Sequence, residues 1–89
     1  MLKGQIIYLV LILWVNDGED GVITRAFENK EDAKKYMKTM YDVDLANYKK
    51  RWEEMDIDFA IGEDNAYMNP KERYCECHIT YEIQQRIIN

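Results

Sequence analysis

Cys75-Glu76-Cys77-His78 is the one run in the sequence whose residue types are those of a metal site, since thiolate sulfur and imidazole nitrogen are the usual ligands of zinc. Its spacing argues against one. The surrounding alternation predicts a strand, and on a strand Cys75 and Cys77 share one face while His78 takes the other, so the three cannot converge on one tetrahedral ion. Nor do the cysteines suit a mutual disulfide, because same-face neighbours on a strand have Cα atoms about 6.5–7 Å apart with parallel Cβ directions. They read as small buried thiols, and no metal is expected.

Asn16-Asp17-Gly18-Glu19-Asp20-Gly21 has the acids and glycines of half a calcium loop. With Asn16 at position one, however, Gly18 falls where the third ligand belongs and Phe27 where a bidentate glutamate is required. A hairpin turn accounts for the same residues, because Gly, Asn and Asp accept positive φ and make side-chain turns. The segment Glu63, Asp64, Asn65, Tyr67 and Asn69 gathers carboxylates and amides that would serve acid-base chemistry or hold Mg²⁺ only if a nucleophile, a positioned base or a phosphate-binding glycine turn accompanied them. None is recognisable. The chain has no serine and a single histidine, His78, which removes serine nucleophiles and every site built on two histidines. The expectation is a protein that is not an enzyme and carries no cofactor.

The elements that must position these residues follow from hydrophobic periodicity. Ile6, Ile7, Val10, Ile12 and Val15 are β-branched and Tyr8 and Trp14 aromatic, so Ile6 to Val15 predicts a strand apolar on both faces, hence a central one. After the turn, Val22 to Phe27 pairs back, and Arg25 beside Ile23 and Phe27 suits an edge. Asn29 is a candidate N-cap with Glu31 and Asp32 in the first turn, so a helix should start at Lys30. Ala33, Met37, Met40, Tyr41, Leu45, Tyr48, Trp52 and Met55 form its apolar stripe, with Lys34, Lys35, Lys38, Lys49, Lys50 and Glu53 outside it. Asp42-Val43-Asp44 places a β-branched residue between two potential caps, which allows a bend near Asp44. Ile57, Phe59 and Ile61 predict a short strand ending at Gly62, while Gly62 to Arg73, with Pro70, is the least regular stretch. From Tyr74 to Gln85, Cys75, Cys77, Ile79, Tyr81 and Ile83 share one face and Tyr74, Glu76, His78, Thr80, Glu82 and Gln84 the other.

The expected order is therefore ββαββ: an α+β fold in which a four-stranded, mainly antiparallel sheet carries one long or bent helix on one face. At 10.7 kDa the chain holds a single domain over residues 1–89. In the first strand Leu9, Leu11, Leu13 and Val15 have one parity and Tyr8, Val10, Ile12 and Trp14 the other. One helix covers only one of these sets, so a partner or a second copy, as in a homodimer, is expected over the second. The apolar run is too short to cross a bilayer as a helix. With only Lys3 before it and acids rather than a small-residue cleavage site after it, it also does not fit a signal peptide. Two cysteines make no disulfide framework, so a reducing, cytoplasmic setting without membrane attachment is expected.

Twelve Lys and Arg against seventeen Asp and Glu give a net charge of −5, which opposes direct binding to nucleic-acid phosphate. Residues 57–89 hold most of the imbalance, with three basic and six acidic groups. In size, charge and composition over its whole length, with no motif carrying the likeness, the chain resembles the small accessory and anti-defence proteins of bacteriophages and mobile elements, including the anti-CRISPR class. That resemblance implies an inhibitor docking stoichiometrically on a protein, such as one with a basic nucleic-acid groove. Glu63, Asp64, Glu72, Glu76 and Glu82 are the candidate contacts to such a groove, joined by Tyr67 and Tyr74, aromatics outside the expected core. The alternative is a sponge-type protein that sequesters a nucleotide signalling ligand at an oligomer interface, using Arg25, Tyr67, Lys71, Arg73 and Tyr74.

Overall fold

Eleven residues rich in β-branched and aromatic side chains make β1 (Ile6–Asn16) an interior strand of an antiparallel sheet, with β2 (Glu19–Phe27) on one side and β5 (Cys77–Ile87) on the other. The computed structural model describes residues 4–16, 18–51, 57–70 and 77–88. The element order is completed by α1 (Lys30–Arg51), β3 (Ile57–Ile61) and β4 (Asn65–Pro70), and the strands lie in the order β2-β1-β5-β4-β3. The α+β class stands, with β1 interior and β2 at an edge.

Among the described residues the strand count is corrected from four to five, and the order from ββαββ to ββαβββ. Asn65–Pro70, within the stretch read as irregular, is a strand that pairs with both β3 and β5. Asn and Pro are depleted in strands, which hid it, but Ala66 and Met68 alternate inward into the core. The last strand therefore pairs with β4 and β1, and β3 becomes the second edge.

Helix α1 begins where its cap predicts. The Asp32 amide donates to the Asn29 side-chain oxygen at 2.9 Å, and the Asn29 amide group donates back to the Asp32 carboxylate at 2.9 Å, satisfying an orphan donor of the first turn. It then runs 22 residues without interruption at Asp44. Neither aspartate acts as a cap: Lys38 pairs with Asp42 one turn on at 2.9 Å, and Asp44 accepts the Tyr81 hydroxyl proton at 2.6 Å. Trp52, Glu53 and Met55 lie outside the described residues.

The core forms where Ala33, Met37, Tyr41 and Tyr48 of the helix meet Val10, Ile12, Met68, Tyr81 and Ile83 of the sheet. Two phenols pin the layers together. Tyr48 donates to the Cys77 carbonyl, and the Tyr81 ring meets Tyr41 edge-on at 5.6 Å while its hydroxyl reaches Asp44. Burial, with the Asp44 carboxylate as acceptor and neighbouring charge, raises the Tyr81 pKa far above the ordinary phenol range; burial and then Asp42 raise that of Tyr41. At the hairpin, Gly18 takes φ +88° and Gly21 lies opposite Trp14, whose ring would be 2.4 Å from a Cβ at that position. Among the described residues, no helix is long and apolar enough to cross a membrane.

Two outcomes are expected. Gly21→Ala forces the Trp14 indole to move and should cost about 1–3 kcal/mol, read as a fall in Tm of roughly 5–20 °C. Because the Tyr81 and Tyr41 pKa values are raised in the folded state, the unfolded chain ionises first, so stability holds below about pH 10 and falls as pH rises beyond it. Urea titrations across that range should show the fall, and Tyr81→Phe should flatten it.

Candidate interaction surface

Strand parity divides the sheet into a face under the helix and an open face. Val10 and Ile12 point to the helix, so Leu9, Leu11, Leu13 and Val15 project to the open side. The register sets Val22 of β2 and Thr80 of β5 beside Leu13, and Glu82 of β5 beside Leu11. Tyr67 and Asn65 of β4 extend these rows, opposite Thr80 and Glu82 respectively. Together they line an open depression of about 630 Å³ with an apolar floor and an acidic side. Leu13 is 48% exposed and Val22 56%, large apolar side chains that this chain alone leaves in water.

Of the residues singled out for partner contact, Asp64, Tyr67 and Glu82 border this one depression, and Glu63 is exposed in the adjacent β3–β4 turn. Asp64 is held by the Lys30 ammonium at 3.3 Å, and its carbonyl accepts the Ile83 amide at 2.8 Å. The Tyr67 hydroxyl donates to Asp58 at 3.4 Å. Glu72, Tyr74 and Glu76, with Lys71 and Arg73 of the ligand-binding alternative, lie outside the described residues. Arg25 is brought elsewhere. Its guanidinium stacks over Tyr36 of the helix at 5.2 Å and over Phe27 at 5.9 Å, so it is on the helix side of an edge strand, while Tyr67 is on the open side of β4. Within one protomer these two do not share a pocket.

Val22 and Thr80 were not singled out from the sequence, and Asn65 only as part of an acid and amide cluster, because they join the surface only once the strand register is known. The charge is also layered. Helix α1 carries seven basic and four acidic residues, leaving five basic and thirteen acidic in the rest of the chain. Among the described residues outside the helix, two are basic and seven acidic, so the described strands and turns are acidic and the helix basic.

Compared with family models, curated proteins and solved structures, the chain matches none. The surface itself is therefore the basis for reading function. Since Leu13 lies outside the core, Leu13→Thr should change stability by less than about 1 kcal/mol, whereas Ile12→Ala on the same strand should cost about 2–5 kcal/mol. Chemical denaturation of the two variants checks this assignment.

Proposed function

We propose that the protein is a non-catalytic binding protein that docks stoichiometrically, through the open face of its sheet, on a protein presenting a basic surface. The observation supporting this is the apolar row of half-buried Leu11 and the exposed Leu13 and Val22, set beside Glu82 and Asp64. Apolar side chains grouped on a strand face supply the desolvated centre that an interface needs, and acids at its side steer a basic partner into register. The likeness in size and acidity to phage and mobile-element anti-defence proteins extends the reading to an inhibitor that occupies a nucleic-acid groove, acting in the cytoplasm. Arg25 and Tyr67 do not converge, so nothing among the described residues favours nucleotide sequestration over docking.

Affinity capture with the tagged protein tests the proposal by comparing wild type with Leu13→Asp and Glu82→Lys. A basic protein retained at one-to-one stoichiometry by wild type should be lost with Leu13→Asp. With Glu82→Lys its association rate should fall roughly tenfold at low salt and converge on wild type as salt rises. Equal retention by all three would overturn the assignment of this face.

A further inference from the structure

The outer edge of β2 is bare. All nine residues pair with β1 on one side, but on the other side, among the described residues, no strand adjoins it. Asn16 and Glu19 face each other across a two-residue connection, so in a tight hairpin they exchange backbone hydrogen bonds, as do every second pair beyond them. The amides and carbonyls of Asp20, Val22, Thr24 and Ala26 therefore point outward, unpaired. Neither proline nor lysine guards the edge, and Val22 and Ile23 are 56% and 41% exposed.

We infer that this edge pairs antiparallel with β2 of a second copy of the chain, about a two-fold axis through Val22, to make a ten-stranded sheet. Charge sets the register. In an isologous antiparallel pair the residue numbers facing each other have a constant sum, and the outward backbone groups require even residues to oppose even ones. Of the registers that satisfy this, the one centred on Val22 places Glu19 opposite the partner's Arg25, twice by symmetry. Asp20 then bonds to the partner's Thr24, Val22 to the partner's Val22, and Ile23 faces the partner's Gly21, over which the indole of the partner's Trp14 lies as an apolar surface. Glu19 and Arg25 lie on the same face of β2, and among the described residues Arg25 has ring contacts but no carboxylate within 4.0 Å. Both are free to pair across the axis.

The arrangement is sterically open. Strands spaced about 4.8 Å apart put β1 about 7 Å and β5 about 12 Å from the axis, so helices above them lie roughly 20 Å apart, wider than the 10–12 Å diameter of a helix. Even residues stay on the open face, so Val22 and Leu13 of both copies form one unbroken apolar row across the axis. The exposed area is compatible with a second copy. The chain exposes 6325 Å², against roughly 5500 Å² for a compact monomer of its mass. This pairing stands on the edge and its charges alone, and does not depend on the docking reading.

Sedimentation velocity on the wild type, Glu19→Arg, Arg25→Glu and the double exchange E19R/R25E tests it. Wild type should be a dimer at about 100 µM, and each single variant should weaken dimerisation about tenfold or more by setting like charges opposite each other twice. The double exchange should restore it. Val22→Pro, which deletes an outward donor without touching the β1 ladder, should give a monomer with unchanged circular dichroism. Should Arg25→Glu fail to fold because it loses its rings, Glu19→Arg and Val22→Pro carry the test. A monomeric wild type, a dimer indifferent to these variants, or open-ended polymer would each overturn the inference.

Discussion

A helix is about 10 Å wide, and strands in a sheet lie about 4.8 Å apart, so one helix covers two or three strands and no more. This chain asks α1 to cover five. It lies over β1, β5 and the near side of β2, which concentrates the core at Val10, Ile12, Tyr81 and Ile83 and leaves the flanks thin. Ile23 on one edge strand and Phe59 and Ile61 on the other face the helix side yet stay more than 40% exposed. The radius of gyration, 14.7 Å, exceeds the roughly 12 Å of a compact chain of this length.

Because the cover is narrow, the contacts that hold it carry unusual weight. Three buried tyrosines do this work, Tyr41 and Tyr48 from the helix and Tyr81 from β5, and each joins an apolar ring to the opposite layer. Two of them also place a hydroxyl on an acceptor across the interface. Arg25 closes the remaining corner by laying its guanidinium on Phe27 and Tyr36, whose rings are 5.3 Å apart. Many of the aromatics in the composition thus answer a structural need, while Tyr67 faces the open side.

Where a single face repeats strictly, the sequence could be read. The alternation of Cys77, Ile79, Tyr81 and Ile83 gave β5 its buried side, Asn29 gave α1 its start, and the double-faced run Ile6 to Val15 gave β1 its interior place. β4 was not legible because its core contribution is only Ala66 and Met68 between turn-forming residues. The choice between a long and a bent helix was not legible because the role of Asp44 depends on Tyr81, 37 residues away. At the candidate surface, nearness in sequence foretold that Asp64 and Tyr67 meet. The register then brought Glu82 to them and separated Arg25 from Tyr67, since neighbours across a sheet are set by pairing and not by spacing along the chain.

The central pairing of β1 with β5 joins residues 61 to 81 apart in sequence. During synthesis at about 5–20 residues per second, β1 emerges several seconds before its second neighbour exists. For that interval it has only β2 beside it and, once made, α1 over one face, so Leu9, Leu11, Leu13 and Val15 on the other face stay unshielded. Closing so long a loop should make this strand pair slow to form, leaving the nascent hairpin and helix as the species that a chaperone, or another nascent chain, meets first.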